Sequence, residues 1–137
     1  MIHFFSEEID FTLDKATGVG QWLLYILKVN KQKVEGVNFI FCSDSYLRAL
    51  NERHLNHDYF TDILTFPYQS DPLLADIYIS IDRVKENAKT FRTTFTDELH
   101  RVMVHGILHL IGFDDHTEED KNFMRKQETL SLSLRDF

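Results

Sequence analysis

Apolar side chains recur along this chain with a period that changes several times, and each change marks an element. Residues 2–5 form a short apolar run that predicts an edge strand. From about 15 to 31, Trp22, Leu23, Ile26, Leu27 and Val29 return at helical spacing, although Gly18 and Gly20 weaken the first turns. Residues 37–42 are β-branched and aromatic, which predicts a strand, and Ser43 or Asp44 then offers an N-cap for a helix through Leu47 and Leu50. Two further strands are expected. One covers 62–66 and stops at Pro67; the other, 75–81, alternates around Tyr78 and Ser80. Asp82 then starts a helix carrying Arg83, Lys85, Lys89 and Arg92, of which the last three share one face at i, i+4, i+7 spacing.

The next stretch predicts a helix over about 97–111. Thr96 is its expected N-cap, Asp97 and Glu98 sit favourably against the dipole of its first turn, and Gly112 can end it in a left-handed conformation. Leu99, Met103, Ile107 and Leu110 fall on one side and His105 and His109 on the other, one turn apart. A helix so nearly apolar all round is expected to be buried, and its histidines with it. Thr117 and Asp120 resemble a capping box opening a last amphipathic helix through Phe123, Met124 and Leu130. Strands and helices mixed without regular βαβ alternation point to the α+β class.

Composition narrows the function classes. A length of 137 residues suits one domain over 1–137, and 43% hydrophobic with 27% charged residues is the balance of a soluble globular protein. The 12 phenylalanines imply an aromatic-rich core. Cys42 is the only cysteine, so no intrachain disulfide can form. The acidic N-terminal segment lacks a signal-peptide pattern, and the run 22–27 is too short to span a bilayer, so a cytoplasmic protein with no membrane partner is expected. A formal charge of −7 and a pI near 5.4 argue against coating nucleic acid by broad phosphate neutralisation. Any nucleic-acid contact then needs a local basic patch. Lys85, Lys89 and Arg92 could supply one, though a solvated helix face is the more usual reason for such a stripe.

Two imidazoles at i and i+4 can grip one ion, because their Cβ atoms lie about 6 Å apart on the same side. One buried histidine alone is ordinarily a hydrogen-bonded core residue; a pair followed by a glycine and an Asp-Asp-His bend reads as a metal site. Gly112 lets the chain reverse and return Asp114, Asp115 and His116 toward the histidines, so the third ligand is Asp115 or His116. Three protein ligands leave a position for water, the open arrangement of a catalytic zinc site. Position 106 is glycine, not the general-base glutamate of an H-E-x-x-H peptidase, so the proton must be handled by another group, and the catalytic residues stay unassigned.

Residues 105–116, H-G-I-L-H-L-I-G-F-D-D-H, closely resemble the H-G-x-L-H-L-x-G-Y-D-H signature of the YbeY family of bacterial rRNA maturation factors. Leu50-Asn51, the block 61–67 (T-D-I-L-T-F-P) and the block 75–80 (A-D-I-Y-I-S) are similar to further family blocks in the same order. The resemblance implies a zinc-dependent endoribonuclease specific for single-stranded RNA, acting in 16S rRNA 3′-end maturation and ribosome quality control. Its implied partners are an rRNA precursor and the small ribosomal subunit, with no DNA. It further implies a small mixed sheet flanked by helices with a buried, zincin-like metal-binding helix. The family's third ligand is a histidine six residues after the second, and that position here is Asp115, with His116 one place later. Where the family carries a Tyr-Arg pair near the cleft, this chain has His54-Leu55; His57 could take over part of the RNA contact. The competing readings are a zinc hydrolase of another ester or amide, and a ribosome-associated assembly factor whose metal is structural.

Overall fold

The computed structural model describes residues 1–55 and 61–137, so the expectation attached to His57 lies outside the described residues. In chain order the elements are β1 (Ile2–Glu7), α1 (Ala16–Val29), β2 (Val34–Cys42), α2 (Asp44–Leu55), β3 (Ile63–Ser70), β4 (Leu73–Ser80), α3 (Ile81–Thr90), α4 (Phe95–Leu110) and α5 (Glu118–Ser133). One sheet holds the strands in the order β1-β2-β4-β3. β1 and β4 both run parallel to β2, and β3 runs antiparallel to β4. This small mixed sheet with flanking helices is the expected α+β architecture. It contains one βαβ crossover, β1-α1-β2.

Strand alternation divides the interior in two. Phe39 and Phe41 of β2 lie beside Ile77 and Ile79 of β4 and face the larger core, which α1 and α4 cover with Trp22, Leu23, Met103 and Ile107. The opposite side chains, Cys42 and Tyr78, join Leu47, Leu50 and Leu64 under α2. Much of the phenylalanine excess is core, since Phe39 and Phe41 are almost completely buried and Phe4 and Phe11 pack against the same cluster.

Several features differ from the sequence pattern, and four have a clear local reason. β3 does not stop at Pro67. It runs to Ser70 because it is an edge strand whose register shifts between Pro67 and Gln69, a place where a missing N–H breaks no ladder. The cap of α4 is Thr94, not Thr96: the Thr94 hydroxyl accepts from the Asp97 N–H at 3.1 Å, which starts the helix earlier. α3 is capped by Ser80, whose hydroxyl accepts from the Arg83 N–H, and ends at Thr90; Arg92 follows with φ 55°, so the expected three-residue basic stripe reduces to Lys85 and Lys89. In α5, Thr117 caps Asp120 as expected, but Phe123 and Leu130 are exposed and the buried stripe is Met124, Glu128 and Ser131. Phe123 instead stacks on Phe113 outside the core. Among the described residues no helix is long and apolar enough to cross a membrane.

Candidate metal centre

α4 brings His105 and His109 together one turn apart, their rings edge to face with centroids 4.5 Å apart. Gly112, at φ +107°, ends the helix and allows the reversal that follows. Of the three polar residues in the bend, only Asp115 turns back. Its Oδ2 lies 3.2 Å from His109 Nε2 and 3.5 Å from His105 Nε2, and one donor atom from each of the three residues falls within 4.8 Å of the others. Asp114 and His116 point outward, His116 being 82% exposed. Both histidines are half-buried rather than buried, at 25% and 31% exposure. The apolar pattern of α4 overstates their burial because the sheet covers one side of this helix fully, whereas α5 and the bend cover the other only in part.

Glu128 is not among the residues expected from the sequence. It projects from the buried stripe of α5, only 5% exposed, and its Oε2 lies 2.6 Å from His105 Nδ1. Its other oxygen accepts from Arg101 Nη1 at 3.0 Å, and Arg101 also reaches Thr129. With the Nδ1 proton donated to Glu128, the Nε2 lone pair of His105 faces Asp115 and His109, the arrangement that orients metal-binding histidines generally. Burial alone would lower the pKa of His105, but the bond and charge of Glu128, with the charges of Asp115 and Asp62, outweigh it and hold the ring above its ordinary value. Surroundings that favour a positive imidazole equally favour a cation beside it. Two imidazole nitrogens, one carboxylate oxygen and a carboxylate behind one imidazole therefore suit a divalent ion.

A cavity of about 330 Å³ opens beside this cluster and shares His105, Asp115 and Glu128 with it. Asp62, immediately before β3, accepts from Asn87 of α3, and burial raises its carboxyl above the ordinary range; burial likewise raises Glu98. α3 turns Asn87 and Phe91 to the cavity, while Lys85 and Lys89 are exposed and do not line it. His54 is exposed, its ring edge-on to Phe66.

Gly106, noted in the sequence for the base it lacks, has a packing role. A Cβ there would lie 2.8 Å from Ile63 Cδ1 and 3.3 Å from Ile77, so the glycine lets α4 approach β3 and β4 closely. A glutamate at this position would be driven into the sheet.

The family model for Endoribonuclease YbeY matches residues 2–134. Endoribonuclease YbeY of Cytophaga hutchinsonii is 46% identical, the match covering 99% of this chain and 96% of the relative. That of Flavobacterium psychrophilum is 43% identical over 95% and 94%. A solution structure of a Thermotoga maritima protein superposes with a TM-score of 0.70 at 30% identity, covering 97% of this chain and 87% of the other. With a match that runs almost from end to end, and with the histidine-bearing helix and its return loop inside it, the chain belongs to the Endoribonuclease YbeY family.

Proposed function

We propose that this chain is a divalent-metal-dependent endoribonuclease that cuts single-stranded RNA, holding zinc through His105, His109 and Asp115. The convergence of those three side chains, with Glu128 fixing His105 from behind, is the observation that carries the reading. Zinc is favoured by a donor set of two imidazoles, one carboxylate and an open position. A divalent ion there supplies Lewis acidity toward a phosphate oxygen and a nearby water.

The chain's own residues do the rest. Glu128 orients His105, Arg101 balances Glu128, and the cavity gives a substrate strand room beside the cluster. Asp62 and Glu98, which line the cavity and whose carboxyls burial holds above the usual range, are the groups placed to take a proton or return it. Family membership supports an rRNA precursor as substrate, and with it the small ribosomal subunit as partner and the cytoplasm as location.

Elemental analysis of the purified protein tests the site, run beside alanine variants of His105, His109, Asp115 and His116, with cleavage of an unstructured RNA as second readout. About one zinc per chain is expected in the parent and in His116→Ala, with loss in the other three. Full metal retention in Asp115→Ala would remove it from the ligand set. Metal-loaded parent that cuts no unstructured RNA, and so cannot be told from His105→Ala, would overturn the activity.

A further inference from the structure

The cavity beside the donor cluster carries features that metal binding does not use. Phe91, the residue that closes α3, is 59% exposed on its wall, a large ring left out of the core. Arg125 also lines it, and among the described residues this guanidinium makes no hydrogen bond or ion pair, although it lies in the field of Glu98. Lys121, one turn earlier on α5, has only a solvent-exposed pair with Glu118 at 3.8 Å, an interaction worth little. Arg101 is by contrast committed to Glu128 and Thr129.

We propose that this cavity is the site for one nucleotide of a single-stranded RNA, with Arg125 and Lys121 taking its phosphate and Phe91 stacking on its base. The inference rests on the endoribonuclease reading and says where the strand lies. At about 330 Å³ the cavity is at the small end of ligand clefts, fit for a single nucleoside unit and too small for a duplex. An exposed aromatic ring next to cations is the recurrent platform for unpaired bases.

The charges around the cavity also couple RNA binding to the metal. Three bases, Arg101, Lys121 and Arg125, line it beside four acids, Asp62, Glu98, Asp115 and Glu128. A divalent ion held by His105, His109 and Asp115 would add positive charge next to the phosphate. RNA therefore binds the metal-loaded protein more tightly than the metal-free one, and by linkage RNA tightens the metal.

The test is fluorescence anisotropy of the zinc-loaded full chain with a labelled single-stranded 2′-O-methyl oligouridylate, checked on a denaturing gel to stay uncut. Arg125→Ala with Lys121→Ala should weaken binding about tenfold or more and flatten the salt dependence by about 0.7 in log–log slope per cation removed. Phe91→Ala should cost about tenfold while leaving that slope unchanged. Lys85→Ala with Lys89→Ala, on the exposed face of α3, should change affinity less than about twofold. Circular dichroism confirms that each variant is folded. Parent-like affinity and salt slope in the Arg125/Lys121 variant, in a protein that still cuts RNA, would overturn the nucleotide site and leave the endoribonuclease reading standing. Parent protein that neither binds nor cuts would remove both. Binding unchanged by a chelator would overturn this coupling to the metal.

Discussion

Glu128→Gln changes one atom's identity in a buried side chain and nothing of its shape, so its effect isolates what the carboxylate does for His105. The native group accepts twice, from His105 Nδ1 at 2.6 Å and from Arg101 Nη1 at 3.0 Å. An amide has one oxygen to offer. If that oxygen serves Arg101, the NH₂ faces His105 Nδ1 and drives the ring proton to Nε2, the atom that must be free for an ion. If it serves His105, the NH₂ faces the guanidinium of Arg101, a donor against a cation, so the first arrangement is the favoured one. Either outcome loses a charge-assisted hydrogen bond worth about 1.5–3 kcal/mol.

The loss falls on metal affinity when the tautomer switches, and a carboxylate partner behind a metal-binding histidine is typically worth about 10–100-fold there. Zinc affinity of Glu128→Gln, measured by chelator competition at neutral pH, should therefore fall by that factor. Nitrogen NMR of the metal-free protein should show His105 shifting from the Nδ1–H to the Nε2–H form. Glu128→Ala should be worse for the fold, about 3–5 kcal/mol in urea unfolding, because Arg101 is left partly buried without its counter-charge. Unchanged zinc affinity and an unchanged His105 tautomer in the folded glutamine variant would refute the positioning role, whatever happened to stability.

Other consequences are open to direct measurement. His100 is held down to about 4 by burial and by the Arg135 guanidinium 2.9 Å from its Nδ1, so it stays neutral in the fold while the unfolded chain takes up a proton near 6.5. Its contribution is then complete above that pH and is lost as pH falls toward 4, at up to about 1.4 kcal/mol per pH unit; urea stability of the parent should drop more steeply across this window than that of His100→Gln, and parallel curves would refute the assignment. Gly106→Ala places a methyl against side-chain ends that can shift, and its helix-propensity gain of about 1 kcal/mol offsets part of the strain, so thermal unfolding should move only slightly, whereas Gly106→Leu should destabilise strongly and weaken zinc binding by lifting α4. Thr94→Ala should cost about 1 kcal/mol and Thr96→Ala a few tenths at most, which chemical unfolding of the two variants distinguishes.

What could be read from the chain followed the range of the interaction concerned. The existence of α4, its histidine pair and its glycine stop depend on contacts within a turn or two, and all three are visible as spacing. Its cap is not. The segment T-T-F-T offers neighbouring hydroxyls, and only the backbone that turns extended at Thr94 selects one of them. Pro67 shows the same limit one level up: proline is barred from a paired strand interior but tolerated at an edge bulge, and which strand is the edge is a property of the sheet order. Glu128 lies 23 residues from the histidine it orients. Its one local trace is a polar residue on the Met124–Ser131 stripe of α5, and that is legible as a buried charge only once α5 is known to pack with this face inward. The metal signature and the fold are in fact one constraint seen twice. Gly106 sits between the ligand positions because α4 must lie close enough to β3 and β4 to be held rigidly, and with position 106 facing the sheet, His105 and His109 are turned toward α5 and the returning loop, where Glu128 and Asp115 meet them.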